Sequence, residues 1–509
     1  MQYILSGMRS FSKAAAFVTV FVMVSAGTAN AQAGSLDVSF GINGLVTTPF
    51  LNGGSNGNTV TLQDDGKIVV AGASNSDVAV ARYNSDGSLD NSFGTGGQVT
   101  TTIGTMNNMA YKILVQSDGK IVIAGTAEPG ASDFDFLLIR YNTDGTLDNA
   151  FGPGGIVETS FNTLNDVAYS CVLQSDGKII SAGTADVQFA MSRHNTDGTL
   201  DSTFGTNGLV TSPVGFNGGL GRAVAIQSDG KLVMTGICFD SSFVKGFGLA
   251  RFTSDGIPDS TFGIDGVAAS YFTGNNDYAQ SMAIQSDGKI VVAGFDDAGA
   301  KFFFAAERYN NDGSLDTSFG IGGKVTTPVG TYNDYGRSVA IQSDGKILVG
   351  GYTGDDISYD YVLVRYNSDG SLDPVFGNGG KVITDFGGSS EGLCVTLQSD
   401  EKIVVSGTHE GNFALARYNN DVVGIHEITT SSLLNIFPNP VSFAFTISLN
   451  NQSSVINSQL TIFDVTGRVV QEQKINSQPY TVNCQLSSGV YFVKVRVGQK
   501  MYSGKLLVE

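Results

Sequence analysis

A polar turn followed by a short apolar run recurs seven times along the chain. Its clearest copy is QSDGKIVVAG, which begins at Gln285, and the other copies begin at Gln63, Gln116, Gln174, Gln227, Gln342 and Gln398. Apolar runs on both sides of an Asp-Gly turn are typical of a β-hairpin, because Asp caps the turn and Gly accepts a positive φ. Each copy therefore predicts two antiparallel strands.

Two more strands follow in each unit. One is an apolar run that ends at an arginine, usually in Arg-Tyr-Asn, and the other is a short segment such as Gly380 to Thr384. Between them stands a turn of the type DGSLDxSFG, whose phenylalanines are at 40, 93, 151, 204, 262, 319 and 376, 53 to 58 residues apart. Seven units of four strands without helical periodicity predict an all-β fold, a seven-bladed β-propeller; an open β-solenoid is the alternative.

The phase of the repeat predicts that the ring is closed by the N-terminal strand. Ser35-Leu36-Asp37 opens the SLDxSFG element, and the segment Gly44 to Thr48 has no first three strands before it. The last unit, from Cys394 to Tyr418, lacks its fourth strand. Pairing these two pieces completes seven units and leaves no free sheet edge.

The pattern changes after residue 420. Residues 421–435 read as a linker, and 436–509 begin with Phe-Pro-Asn-Pro and continue with short alternating strands, among them Phe445 to Leu449 and a closing strand from Gly504. Such strands, separated by turn residues, predict a small C-terminal β-sandwich.

Residues 1–31 have the plan of a signal peptide. Basic Arg9 and Lys13 precede an apolar run from Ala14 to Val24, and Ala29-Asn30-Ala31 resembles a cleavage site. Translation from Met8 instead of Met1 is an open alternative. We therefore predict a mature propeller over 32–420 and no transmembrane segment.

The repeat, with QSDGKIVVAG, ARYNxDGSLDxSFG and GGxVTT in fixed order, resembles the delta-60 repeat family of bacterial β-propellers. Residues 436–509, with Phe-Pro-Asn-Pro, Asp-x-x-Gly-Arg, Leu-x-x-Gly-Val-Tyr and Lys-Leu-Leu-Val, resemble the C-terminal sorting domain of type IX secretion cargo. The second resemblance implies Sec export, a partner in the type IX machinery, and release or attachment at the outer-membrane surface. The first implies a fold and no activity.

Composition narrows the possible partners. A formal net charge of −18 and the lack of a basic run argue against nucleic acid and anionic membranes. The four cysteines have no metal-like or disulfide-like spacing and are predicted to be small buried residues: Cys171, Cys238, Cys394 and Cys484. The three histidines are far apart, and no catalytic motif is present, so we predict no catalytic residues and no cofactor.

Calcium remains an alternative. The Asn-x-Asp-Gly-x-x-Asp run at Asn84, Asp86 and Asp90 spaces oxygen ligands as calcium loops do, but it lacks the terminal glutamate, and turn capping explains it equally. The arginine and the SLD aspartate recur in all seven units, which predicts a structural ion pair or backbone clamp.

Sequence variation between the units indicates where binding residues lie. The loops after the second and fourth strands differ in length, and they share one edge of the propeller. Eight residues before each glutamine stand Ser55, Asn108, Asp166, Gly219, Asp277, Asp334 and Ser390. We predict that these ring the channel mouth. The predicted ligand-binding residues are Asp166, Asp277, Asp334, Asn108, Tyr278 and Tyr335, with turn chemistry as the alternative.

Three functions fit these observations. The first is an exported propeller that binds a glycan, polymer or protein; the second is an extracellular polysaccharide hydrolase or lyase; the third is a structural surface or adhesion component. Regular repeats without a catalytic insertion favour a binding or structural role over catalysis, because an active site normally breaks such symmetry.

Removing residues 436–509 tests the export prediction. In a host with the type IX system, the truncated chain should stay in the periplasm, whereas the full chain should reach the surface or the medium, as measured by immunoblots of cell fractions. A periplasmic marker protein controls for lysis. Equal external amounts of both chains would contradict the prediction.

Overall fold

The computed structural model describes residues 32–50, 53–104, 107–130, 133–161, 165–272, 276–355, 357–420, 434–449, 458–464, 468–476, 479–483, 485–497 and 500–508. The chain divides into two compact units, Met1–Val423 and Gly424–Glu509. The predicted signal peptide and residues 421–433 of the predicted linker lie outside the described residues. No helix in the described part is long and apolar enough to span a membrane.

The described part of the first unit forms seven antiparallel sheets of four strands. Sheet I contains β2 (Ser55–Leu62), β3 (Ile68–Ser74), β4 (Asp77–Tyr83) and β5 (Gln98–Thr101). Sheet II contains β6 (Met109–Val115), β7 (Ile121–Gly130), β8 (Asp133–Tyr141) and β9 (Ile156–Thr159). Sheet III contains β10 (Val167–Leu173), β11 (Ile179–Ala185), β12 (Gln188–His194) and β13 (Leu209–Ser212). One 3-10 turn, Pro153–Gly155, precedes β9.

Sheet IV contains β14 (Gly219–Ile226), β15 (Leu232–Phe239), β16 (Lys245–Phe252) and β17 (Val267–Ser270). Sheet V contains β18 (Asp277–Ile284), β19 (Ile290–Asp297), β20 (Phe302–Tyr309) and β21 (Lys324–Thr327). Sheet VI contains β22 (Asn333–Ile341), β23 (Ile347–Gly354), β24 (Tyr359–Tyr366) and β25 (Lys381–Thr384). Sheet VII contains β26 (Ser390–Leu397), β27 (Ile403–His409), β28 (Asn412–Tyr418) and β1 (Leu45–Thr48). The second and third strands are almost wholly buried between neighbouring sheets.

The N-terminal strand pairs where the phase of the repeat predicted. Leu45 stands opposite Ala416, and Thr48 stands opposite Phe413. The first strand of every sheet lies against the first strands of both neighbours, and β2 lies against β26. The first strands therefore surround a common axis, with the short fourth strands outermost.

An arginine clamp joins each sheet to the next, which confirms the predicted ion pair. The Nε atom of the arginine lies 2.7 to 2.9 Å from the SLD aspartate in all seven sheets. The guanidinium carbon lies 4.4 to 4.8 Å from the centroid of the recurring phenylalanine ring. The Nη1 atom donates to a backbone carbonyl in the turn of the following sheet, as Arg417 does to Ser85.

A second contact links the third strand of one sheet to the fourth strand of its predecessor. The Tyr83 hydroxyl donates to Thr48 at 2.9 Å, and Tyr366 donates to Thr327 at 2.8 Å. His194 replaces the tyrosine in sheet III and keeps this bond, with 3.0 Å between Nε2 and Thr159 Oγ1. Burial lowers the pKa of His194 to about 4, so the ring is neutral at pH 7.

Two cysteines match the prediction of small buried residues. Cys171 and Cys238 are buried free thiols, and burial raises their pKa to about 12 and about 11. Cys394 is a half-buried free thiol. Cys484 lies outside the described residues.

The described part of the second unit contains two antiparallel sheets. One has the order β29 (Leu434–Phe437), β30 (Ala444–Leu449), β33 (Tyr480–Asn483), and the other has the order β32 (Val469–Ile475), β31 (Ser458–Phe463), β34 (Gly489–Val497), β35 (Lys500–Val508). Phe445, Ile462 and Val493 belong to one buried apolar cluster that both sheets share. The closing strand begins at Lys500, four residues before the predicted start.

Deleting residues 32–50 tests the closure of the ring. The deletion removes β1 and also Asp37, whose carboxylate pairs with Arg417 at 2.9 Å. We expect the truncated chain to melt at a lower temperature and to self-associate, because β28 becomes a free edge and a buried arginine loses its partner, which costs about 3–5 kcal/mol. Asp37→Asn, which keeps β1, is the control. Unchanged melting with monomeric elution on a sizing column would contradict closure.

Candidate functional site

The seven positions predicted to ring the channel mouth lie at the starts of the first strands, but their side chains do not face open space. Ser55, Asn108, Asp166, Asp277, Asp334 and Ser390 are all buried, and Asp166, Asp277 and Asp334 are 0% exposed. Gly219 is buried as well. Five of the seven belong to the first strands, Asn108 and Asp166 directly precede them, and all seven are buried in the interior.

Four of these buried side chains hold the connection that enters their first strand. In two sheets the backbone N–H five residues upstream donates to the aspartate carboxylate. The Phe161 N–H donates to Asp166 at 2.7 Å, and the Phe272 N–H donates to Asp277 at 2.8 Å. Asp334 accepts from Val329 at 2.8 Å and from Gly330 at 2.9 Å. Asn108 donates to the Ile103 carbonyl at 2.7 Å. The alternative of turn chemistry thus describes their contacts, and their part in ligand binding stays a prediction.

A second aspartate lies next to Asp277. Asp277 stands opposite Asp296 in the β18–β19 register, so two buried carboxyl groups lie side by side. Burial, with a further contribution from Asp296, raises the pKa of Asp277 well above its usual range, although the Phe272 N–H opposes this. The pair therefore retains a proton in conditions where an exposed aspartate would be ionised.

A β-bulge at an equivalent place in every first strand sets a different group of side chains apart. In β18 the register passes from Ala279 to Ser281, so Gln280 has no partner residue. A comparable shift occurs in the other six first strands. We call the seven residues at this position the inner ring: Asn58, Tyr111, Tyr169, Arg222, Gln280, Arg337 and Leu393. All seven are half-buried, and bulges commonly re-aim side chains at functional sites.

The last glycine of each QSDGKIVVAG copy makes this bulge possible. A Cβ atom added at these glycines, such as Gly294, would lie only 1.8 to 2.0 Å from a carbonyl oxygen of the first strand. The residue just before each inner-ring position is also Gly or Ala, as at Ala279. The sequence thus carries a signal for the bulge, because small residues recur on both strands where the backbones approach most closely.

The inner ring brings aromatic and cationic side chains together. The Tyr111 and Tyr169 ring centroids are 4.9 Å apart, and the Arg222 guanidinium carbon lies 4.1 Å from the Tyr169 centroid. Arg337 Nη2 donates to the Tyr352 hydroxyl at 2.6 Å. Sequence reasoning passed over these residues because it placed the channel positions three residues too early.

Tyr278 and Tyr335, the two predicted aromatic residues, belong to a larger group. The aromatic cluster comprises Tyr278, Phe295, Phe302, Tyr335, Tyr352 and Tyr359, whose neighbouring centroids are 4.6 to 6.5 Å apart. All six lie in sheets V and VI, at the edge with the variable loops. Lys245 Nζ donates to the Tyr278 hydroxyl at 3.0 Å and borders the cluster.

A cavity lies elsewhere, at the outer strand β21, the segment after β17 and the start of β25. Its volume is about 760 Å³, and Phe272, Lys324 and Tyr366 line it. Smaller cavities occupy equivalent places in other sheets, so this feature belongs to the repeat. Beside it, the buried Glu307 carboxylate accepts from Ser270 at 2.9 Å and lies 3.3 Å from Lys324 Nζ.

The predicted calcium ligands have other partners. Asp86 accepts from the N–H and hydroxyl of Ser88 at 2.9 and 2.6 Å, and Asp90 pairs with Arg82. Within the described ranges, no group of three or more His, Cys, Asp or Glu side chains is placed to hold a metal ion. Calcium binding stays a prediction without geometric support here.

The repeated four-stranded sheets, with their clamps and variable edge, define an all-β repeat protein of the propeller class. The domain of unknown function (DUF5122) beta-propeller matches residues 63–93, 116–151, 174–204, 227–262, 285–319 and 342–376, and the secretion system C-terminal sorting domain matches 435–509. The chain belongs to the DUF5122 beta-propeller repeat family and carries a type IX sorting domain, which directs it to the cell surface or the extracellular space.

The seventh unit is absent from these matches for a structural reason. Its DGSLDxSFG-type turn comes from the other end of the chain, at Asp37 to Phe40, so no continuous copy exists. Glu401, with φ of 65°, also replaces the usual turn glycine there.

Solved structures share a distant likeness with the chain. Virginiamycin B lyase from Staphylococcus aureus is 12% identical, with a TM-score of 0.46 over 74% of this chain and 98% of that one. An ulvan lyase of polysaccharide lyase family PL25 is 12% identical, with a TM-score of 0.42 over 75% and 98%. PorZ, a surface component of the type IX system of Porphyromonas gingivalis, is 11% identical, with a TM-score of 0.25 over 89% and 81%. These scores support no argument about function. No curated protein matches the chain.

Replacing Asp277 with Asn tests the protonated pair. Because the folded state raises the pKa of this carboxyl, its contribution to stability should fall as the pH rises from about 4 towards the raised pKa. The amide of Asp277→Asn does not titrate, yet it can accept from the Phe272 N–H and donate to Asp296. The variant should therefore reduce the stability lost between pH 5 and pH 8 by about 1 kcal/mol or more. Urea unfolding at both pH values measures this.

The matched control is Asp334→Asn at the equivalent strand position, where both oxygens accept backbone N–H groups. It should destabilise the protein without flattening the pH dependence. An unchanged pH dependence in Asp277→Asn would contradict the shared proton.

Proposed function

We propose that the chain is a closed seven-bladed β-propeller, exported by a signal within residues 1–31, that binds an extracellular carbohydrate polymer at its variable edge. The propeller spans 32–420, and 436–509 form the β-sandwich that the type IX machinery recognises, with 421–435 as linker. The pairing of β1 with β28 and the contact of β2 with β26 support closure.

The aromatic cluster is the observation that carries the binding proposal. A repeat that serves only folding has no reason to place six aromatic rings in two adjacent sheets and small or polar residues at the equivalent places of others, such as Asn56 and Ala73 in sheet I. Tyr278, Phe302, Tyr335 and Tyr359 are half-buried and so present part of their surface to solvent. Aromatic faces pack against the C–H faces of sugar rings, and the hydroxyl groups of tyrosine add hydrogen bonds.

Regularity favours binding over catalysis. The buried acids of the repeat, such as Asp90 and Asp277, have structural partners, and the clamp is the same in every sheet. A polymer suits this geometry because the cluster extends across two sheets and joins the inner ring through Arg337. The predicted acidic residues Asp166, Asp277 and Asp334 would then act indirectly, by fixing the loops that border the ligand.

The proposal is tested with Phe302→Ala and Tyr359→Ala in the full exported chain. On a glycan array followed by calorimetry with the best ligand, each variant should bind about tenfold more weakly, since aromatic residues at binding hot spots contribute about 1–2 kcal/mol or more. Phe216→Ala is the matched control, because this ring is 79% exposed at the same edge and lies outside the cluster.

Two results would overturn the proposal: binding that Phe216→Ala weakens as much as the cluster variants do, and no binding to any glycan. Chain cleavage during incubation with a polysaccharide panel would favour the alternative of a hydrolase or lyase.

A further inference from the structure

Two arginines of the inner ring carry charges that the protein does not neutralise. Among the described residues, the guanidinium of Arg222 has no hydrogen-bond acceptor and no carboxylate within salt-bridge distance, and its Nε atom is buried without a partner. Arg337 has one hydrogen bond, to the Tyr352 hydroxyl, and its Nε atom is likewise buried and unpartnered. A buried donor without an acceptor is costly.

The two arginines flank one polar residue. Arg222, Gln280 and Arg337 hold the bulge position in sheets IV, V and VI, which are consecutive around the axis. The side-chain amide of Gln280 also has no hydrogen-bond partner in the part of the chain that the structure describes. Three neighbouring positions thus present unused N–H donors, two of them cationic, in a chain whose net charge is −18.

The other arginines of the repeat show how unusual this arrangement is. Every arginine of the clamp has a carboxylate within 2.9 Å. Burial raises the pKa of Glu391 and the Arg337 charge only partly opposes this, and across the described ranges no salt bridge joins the two side chains. The repeat itself tolerates neutral residues at the bulge, since Asn58 and Gln280 occupy it in sheets I and V, so folding does not require either arginine.

We infer that Arg222, Gln280 and Arg337 form a site for an oxyanion, the carboxylate, sulfate or phosphate group of an acidic ligand. Guanidinium groups suit such ligands because they offer parallel charge-assisted donors. The Arg222 guanidinium carbon lies over the Tyr169 ring, 4.1 Å from its centroid, and this cation–π contact restrains the side chain. This inference deepens the proposed function and rests on it: the polymer that lies on the aromatic cluster would carry acidic sugars.

The test compares oligogalacturonate with an uncharged galactose oligomer of equal length, by calorimetry on the full exported chain. The acidic oligomer should bind at least about tenfold more tightly, and Arg222→Gln or Arg337→Gln should remove most of that difference, since a hydrogen bond to a charged group typically carries such a factor. Arg222→Lys, which keeps the charge and loses the planar fork, should fall between them. Competition by inorganic sulfate and by inorganic phosphate shows which oxyanions the site accepts.

Lys381→Gln is the matched control for loss of one charge. Lys381 lies on the outer strand β25 and donates to the Pro328 carbonyl at 2.7 Å, as the natural Gln98 does to Pro49 at 2.9 Å. It should leave the preference for the acidic oligomer intact. Melting temperatures of all variants verify folding, and Arg222→Gln should melt close to the wild type because Arg222 has no acceptor to lose among the described residues.

The outcomes separate the two proposals. Equal binding of the acidic and neutral oligomers, or equal loss in Lys381→Gln and Arg222→Gln, would overturn the oxyanion site while the carbohydrate proposal stands. Binding of neither oligomer, nor of any other glycan, would overturn both.

Discussion

The arginine clamp is the interaction on which the rest of the first unit depends. Each guanidinium meets an aspartate of its own sheet, a phenylalanine ring and a carbonyl of the following sheet, so one side chain fixes both the turn and the distance to the neighbour. For Asp37, burial opposes ionisation, but Lys402, Ser39 and Arg417 outweigh it and hold the pKa well below its usual range. The Asp37–Arg417 pair therefore stays charged at any ordinary pH. The uniform edge cannot vary without loosening two sheets, because each clamp contacts both.

That rigidity leaves the opposite edge free to differ. The glycine at the end of each QSDGKIVVAG copy lets the first strand bulge, and the bulge leaves one residue unpaired without disturbing the clamp at the other end of the sheet. Folding requires only that the residues around the bulge are small. The bulged residue itself is under no such demand, which explains why the inner ring contains Asn, Tyr, Arg, Gln and Leu in otherwise similar sheets.

Sequence periodicity predicted the strands, their pairing and the clamp because each depends on residues that recur. The Asp-Gly turn predicted the hairpins, and the interrupted phase at Ser35 and Tyr418 predicted the pairing of β1 with β28. The candidate site was harder to predict from the sequence. Side chains alternate along a strand, so an error in where the strand begins assigns Asp277 to the surface instead of the interior, and the bulge at Gln280 then breaks the alternation again. Tyr278 and Tyr335 were predicted because they stand beside Asp277 and Asp334 in the sequence. Phe295, Tyr352 and the arginines meet them only through pairing between strands.

The register also decides the sign of the charge at the inner edge of the sheets. With aspartates at the surface, the inner edge would attract cations; with the aspartates buried and bound to backbone N–H groups, the half-buried charges that remain at the bulge in sheets IV and VI are Arg222 and Arg337. A protein with a net charge of −18 repels acidic polymers at long range, and this repulsion is screened within about 10 Å at physiological salt. Two unneutralised guanidinium groups inside that distance make a local field of the opposite sign. The chain can therefore remain soluble through its acidic exterior and still discriminate for acidic groups at its inner ring.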